Sequence, residues 1–243
     1  MAVDSALHEV ASVTRTAPLV DHLRELRRRV LICAVAVVIG AVAAFSVSDQ
    51  LIELLRGPLG TTKLYFIGVG DAFGIRMQLS LIGGLAIAMP ILLWQVWAFI
   101  SPGLTSAERR SARPWLPLAL ALFILGAVVA WSILPFAVGF LLGFASEDLL
   151  PMIAADRYFG FVSGLVLLFA VAAEYPIVLV FLSRVGLVTS AKLRAWRRGA
   201  IVGVVIVSAI ATPGTDLVSP LVLAITLLFL YEFSIILVRA GGR

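Results

Sequence analysis

Residues 161–183 read FVSGLVLLFAVAAEYPIVLVFLS, and Glu174 is the one formally charged residue in the whole run from Tyr158 to Ser183. A run of this length is long enough to cross a hydrocarbon layer as a helix, which takes roughly 20 residues. An ionisable side chain in that setting is costly, so its default reading is functional. The composition agrees with a membrane setting. The 243 residues are 61% hydrophobic and 14% charged, with a mean hydropathy of +1.08. A soluble domain of this size has too little interior to hide that much apolar surface.

Working outward from that run, further apolar segments appear. The expected spans are residues 30–48, 72–100, 115–142, 158–183, 197–212 and 217–238. They make an all-α, polytopic integral membrane protein with six transmembrane helices. A cytoplasmic amphipathic segment, 1–29, precedes a transmembrane domain of 30–239, and a short tail, 240–243, follows it. The fifth span is the weak one. Its uncharged part, 199–211, rises only about 20 Å as a helix, less than the hydrocarbon thickness. It borrows flanking residues such as Trp196 and Thr212, or the bilayer thins around it. A hairpin that dips in and out is the alternative.

Charge decides orientation. With a cytoplasmic N-terminus and six crossings, the cytoplasmic side holds Arg15, Arg24, Arg27, Arg28, Arg29, Arg109, Arg110, Arg113, Arg184, Lys192, Arg194, Arg197, Arg198, Arg239 and Arg243. Those are fifteen of the 19 basic residues. The outer segments carry Asp49, Glu53, Asp71, Glu147, Asp148, Asp156 and Asp216 instead. The positive-inside rule therefore gives N-in and C-in. Basic loops beside anionic lipid account for the net charge of +5 without a nucleic-acid partner. The start of the first apolar run, residues 27–45, resembles an export signal, but its length and the spans that follow make it a retained helix.

Local motifs add detail. Residues 18–29, PLVDHLRELRRR, put Leu19, Leu23 and Leu26 on one helical face, as in a segment that lies in the membrane interface. Glu25 and Arg29 are spaced for a surface helix pair, worth about 0.3 kcal/mol. Trp94 and Trp97 suit a membrane boundary, and Pro102-Gly103 stops the second span. Thr105 with Glu108 three residues later reads as a helix cap. Pro213-Gly214 marks a tight outer turn, with Asp216 placed to cap the last helix. Pro176 opens the backbone ladder beside Glu174. The single Cys33 allows neither an internal disulfide nor a cysteine metal cluster, and no cofactor is expected.

Taken together, several of these motifs resemble the TatC family, the multi-spanning core of the twin-arginine protein translocase. They are HLRELRRR at 22–29, GPL at 57–59 with Pro58, and PILLWQVWAF at 90–99 with Trp94, Gln95 and Phe99. Pro102, ERR at 108–110, EYP at 174–176, and ATP at 211–213 with Asp216 complete the set. The resemblance runs from His22 to about Arg239. Two departures occur: Gly214 and Thr215 separate Pro213 from Asp216, and Pro220 follows Ser219.

The resemblance implies a glove-shaped, concave helix assembly in the bacterial inner membrane. It implies a receptor for signal peptides with paired arginines, which nucleates export of folded proteins driven by the proton-motive force. Glu25 and Glu108 then correspond to the acids that receive the arginines. Carboxylates match planar guanidinium groups in bidentate fashion, and lysine lacks that fork. Arg27 falls near the same site, either orienting Glu25 or anchoring its helix to headgroups. Glu174 either receives partner helices or fixes packing as a hydrogen-bonding side chain. The implied partners are TatA-like and TatB-like single-span proteins and further TatC copies.

Other classes are weighed against this reading. An intramembrane protease needs a buried histidine, and His8 and His22 both precede the first span. No GxxxxGK loop for ATP occurs. The chain reads as no enzyme. A proton-coupled secondary transporter with Glu174 as its coupling acid is the serious alternative, and Gly83-Gly84 with Pro90 are possible break points of the second span. A membrane scaffold is the third class, and it leaves the cytoplasmic acids without a ligand.

Overall fold

The computed structural model describes residues 2–103, 115–146, 151–184, 186–212 and 217–240. Glu108, Pro213 and Asp216 lie outside the described residues, as do Arg109 and Arg110.

Helix α1, Ala2–Ser46, runs without a break at Arg29, so the basic N-terminal motif and the first apolar run share one helix. An amphipathic helix, α2 (Ser48–Arg56), follows on the outer side, and a 3-10 turn at Gly57–Leu59 carries Pro58. The short strand β1, Leu64–Tyr65, leads to α3, Asp71–Ile100. This helix stays continuous through Gly83-Gly84 and Pro90. It ends in a 3-10 turn at Ser101–Gly103, where Pro102 sits. Helix α4 is Trp115–Leu142. Strand β2, Ile153–Ala154, pairs in parallel with β1, with Leu64 opposite Ile153. This two-residue ladder ties two outer segments together, a contact the apolar periodicity gave no sign of.

The fourth span is two helices. Helix α5, Ala155–Ala172, and α6, Tyr175–Arg184, meet at Ala173 and Glu174. Pro176 has no N–H for the Ala172 carbonyl, and the Glu174 N–H bonds Val171 at 3.0 Å, one residue short of the α-helical partner. The remaining elements are α7 (Ser190–Ala195), α8 (Arg197–Ala211) and α9 (Val218–Ala240). Among the described residues, five segments are long and apolar enough to cross a membrane: Val20–Ser46, Asp71–Ile100, Trp115–Leu142, Ala155–Arg184 and Val218–Arg239. Helix α8, with 15 residues, falls where the short fifth span is expected from the sequence and is not among these five.

Lipid tails offer no hydrophobic drive between helices, so close packing of small residues does the joining. Helices α1 and α3 show this plainly. Gly40, Ala44 and Ser48 recur every fourth residue along α1 and α2 and are buried, as are Ser80, Gly84 and Ala88 on α3. A Cβ on Gly40 would lie 2.5 Å from the Gly84 carbonyl oxygen, and one on Gly84 would lie 2.3 Å from the Ala41 nitrogen. Gly126 on α4 meets α5 in the same way, its Cβ position falling 2.4 Å from the Phe169 carbonyl oxygen. The main core lies among α3, α4, α5 and α9, around Leu134, Val162, Leu165, Phe169 and Leu223. A second core joins α6, α7 and α9 through Leu179, Leu193, Tyr231 and Ile235.

Two tests follow from this packing and charge pattern. Gly84→Ala forces a methyl into backbone and should cost about 1–3 kcal/mol. Gly74→Ala, on the same helix with nothing within 4 Å, should be near neutral, and detergent thermal melts compare them. For topology, single cysteines at Ser146 and Lys192 in a Cys33→Ser background are exposed to an impermeant thiol reagent in intact cells. Labelling at 146 and protection at 192 are expected; the reverse pattern inverts the orientation.

Candidate functional site

The basic end of α1 packs against the C-terminal part of α3. Arg29 donates from Nε to Glu25 Oε1 at 3.1 Å and from Nη2 to the same oxygen at 2.5 Å. Its third contact crosses helices, from Nη1 to Gln95 Oε1 at 3.2 Å. Helical spacing i, i+4 brings Glu25 and Arg29 onto one face, and the α1–α3 seam supplies Gln95. Glu25 Oε2 lies 4.0 Å from His22 Nδ1. The His22 ring stacks on Phe99 with centroids 4.4 Å apart. Between the two helices a cavity of about 280 Å³ is lined by Glu25, Arg28, Arg29, Ile32, Trp94 and Gln95. The Glu25 side chain keeps 35% of its surface exposed, which leaves the carboxylate reachable from water.

Arg27 does not join this group. It is exposed and lines an open groove on α1 with Arg24, Arg28 and Leu31. The sequence motif thus divides in space: Glu25 and Arg29 face α3, while Arg24 and Arg27 face away. Trp94 is exposed beside the cavity, and Trp97 lines a separate apolar cavity of about 230 Å³ among α3, α4 and α6. That cavity also touches Trp115, Phe181 and Arg184.

Glu174 lies apart from the Glu25 cluster, in the break between α5 and α6. Its carbonyl accepts from the Ile177 and Val178 N–H groups at 3.0 and 3.2 Å. Its Oε1 is buried and has no hydrogen-bond partner among the described residues. The neighbouring Ala173 and Ile177 pack with Leu118, Leu122 and Leu230. Pro176 is fully buried at the start of α6.

The sequence reading passed over one charged residue inside a span. Glu232 on α9 pairs with Arg197 at the start of α8, Oε2 to Nη2 at 2.6 Å. The two are 35 residues apart, so spacing along the chain gave no sign of the pair. Beside it, Tyr231 donates its hydroxyl to the Leu193 carbonyl at 2.6 Å and stacks near Tyr175. The outer side holds a comparable link, with Arg76 reaching Ser48 and Asp49 at 2.9 and 2.6 Å. Within the membrane, Gln78 donates to Ser163 Oγ at 3.2 Å, joining α3 to α5.

The fold and this site define a helical, multi-pass membrane protein with a partly exposed carboxylate at its basic end. Comparison with known proteins narrows the class. The family profile described as Sec-independent protein translocase protein (TatC) matches residues 21–225, and the chain belongs to the TatC family. The Sec-independent protein translocase protein TatC of Aquifex aeolicus is 39% identical over 233 residues, covering 93% of this chain and 96% of that protein. The protein of the same name from Carboxydothermus hydrogenoformans is 35% identical, covering 91% and 92%. That of Frankia casuarinae is 36% identical over 90% of this chain, and the chain spans 65% of its length. A crystal structure of a twin-arginine translocase receptor, TatC, superposes with a TM-score of 0.79 at 37% identity, covering 91% of this chain and all of that one. The six-helix, polytopic fold expected from the sequence is the fold of this family.

Proposed function

We propose that this chain receives twin-arginine signal peptides at the cytoplasmic mouth of α1 and α3 and nucleates the export of folded proteins across the bacterial inner membrane. The observation that carries this reading is the Glu25 carboxylate. Arg29 holds one of its oxygens, the other lies 4.0 Å from His22 Nδ1, and Glu25 lines the cavity between α1 and α3. An incoming guanidinium finds there an acceptor fixed in direction, close to a low-dielectric boundary where ion pairs gain strength. Glu108 supplies the second carboxylate in this proposal, from the segment between α3 and α4. Arg27, exposed on the outer face of α1, serves as a headgroup anchor. Trp94, Gln95 and Phe99 form the α3 wall, and Pro58 and Pro102 sit in the 3-10 turns after α2 and α3.

The same proposal gives Glu174 to partner recognition. A buried acceptor with no donor among the described residues, at a break in a membrane helix, is a meeting point for a polar side chain on another transmembrane helix. TatA-like and TatB-like single-span proteins and further TatC copies are the partners in this reading, within the lipid bilayer and with no nucleic acid. The proton-motive force drives the assembled translocase.

Replacing Glu25 and Glu108 together with Gln should abolish signal-peptide crosslinking in a chain that still folds. Undiminished crosslinking sinks the assignment and returns Glu108 to a helix-capping role. At Glu174, Gln keeps a hydrogen-bonding oxygen, so export of a folded reporter, normalised to inserted protein, should be largely preserved. Ala or Leu should weaken it. Equal damage from Gln and Leu, together with a pH dependence of transport lost on substitution, favours the proton-coupled transporter instead.

A further inference from the structure

Arg29 places all its Glu25 contacts on a single oxygen. Nε and Nη2 both reach Oε1, and Nη1 is anchored on α3 by Gln95. Only 21% of the Arg29 side chain is exposed, against 35% for Glu25. The arginine is therefore the inner partner and the carboxylate the outer one. Among the described residues, Oε2 has only the 4.0 Å approach of His22. Two consequences follow from elementary chemistry. A carboxylate already held at one oxygen has lost its rotamer freedom before any ligand arrives, so the ligand need not supply that ordering free energy. A carboxylate already paired also presents little net charge to a passing cation.

These consequences act differently on arginine and lysine. An ammonium is a compact point charge, and its gain depends mainly on net charge at the site. A guanidinium is a planar fork, and its gain depends on acceptors held in a fixed direction. Partial neutralisation removes the first kind of attraction, and fixed direction preserves one prong of the second, at Oε2. Specificity is a difference of affinities, and weakening the competitor raises it as surely as strengthening the ligand. We propose that Arg29, anchored by Gln95, is a positioning and specificity-determining residue: it makes the Glu25 site select arginine over lysine by geometry rather than by charge. The proposal rests on the reading of Glu25 as the arginine acceptor.

The experiment uses the full chain in lipid nanodiscs and two labelled synthetic peptides that differ only in carrying paired arginines or paired lysines. Affinities for both are measured by anisotropy, with thermal melts reporting folding. Arg29→Gln removes the inner positive charge, so paired-lysine binding should strengthen about tenfold, the scale of one charge-assisted contact, while paired-arginine binding changes less. Arg29→Lys keeps the charge and loses the fork, so paired-arginine binding should weaken about tenfold with paired-lysine binding unchanged. Gln95→Leu cuts only the anchor on α3 and should lower the arginine-to-lysine ratio in the same direction by a smaller factor. If Arg29 variants fold poorly, Gln95→Leu decides the matter by itself. A role confined to structure shifts both peptides equally, and an unchanged ratio in the folded variants overturns the proposal. Glu25→Gln is the separating control. Intact paired-arginine binding there defeats the acceptor reading itself, whereas lost binding with an unchanged ratio at Arg29 and Gln95 defeats only this inference.

Discussion

The close antiparallel approach of α1 and α3 is the constraint on which the site depends. At Gly40 and Gly84 the two backbones come so near that neither position admits a Cβ without collision. The seam sets the register of everything along it. Towards the outer side it brings Arg76 to Ser48 and Asp49, and towards the basic side it brings Gln95 to Arg29 and Phe99 to His22. A slip of one turn, about 5.4 Å, would break all of these contacts at once. These polar contacts sit at the two ends of the seam, so the seam and its ends stabilise one another.

Helix α1 is otherwise weakly attached. Most of its apolar residues face outward: Val35, Val38, Ile39 and Val42 are all exposed. Only 11% of its most apolar window is buried, compared with 44% for the last span. Lipid covers such a face without penalty, so exposure here is no defect. The consequence is that α1 is held mainly through α3. A site built from α1 and α3 therefore inherits the rigidity of a single interface, as the role proposed for Glu25 requires.

The rest of the bundle handles its polar groups in two ways. On the basic side, Arg197 and Glu232 neutralise each other across α8 and α9, and Tyr231 finds the Leu193 carbonyl. In the membrane interior, Gln78 and Ser163 satisfy each other, and Ser163 also donates to its own helix. Glu174 differs from these pairs: its Oε1 is buried without a partner among the described residues, as is the Ser208 hydroxyl. The break caused by Pro176 already frees backbone groups at the same place. An unpaired acceptor and an opened ladder together concentrate the polar cost of the fourth span at one point, where a donor from another helix gains most.

Much of this was legible in the chain. Apolar runs of sufficient length, their flanking charges and the isolated Glu174 are properties of local sequence, because the bilayer imposes a length and a charge rule on each segment separately. The shortness of α8 and the helix opening at Pro176 follow from the same local physics. The motif at 22–29 pointed to Glu25 and to its i, i+4 pair with Arg29, which the structure shows, but not to the contact of that arginine with α3. Arg27 and Arg29 differ by two positions, hence by most of a half-turn, and only the packing of α1 on α3 decides that Arg29 faces inward to Gln95. The ladder between Leu64 and Ile153 and the pairing of Arg197 with Glu232 were hidden for the same reason. Sequence spacing orders residues along one helix, whereas contacts between helices depend on register and rotation, which small residues such as Gly40 and Gly84 set through close packing in three dimensions.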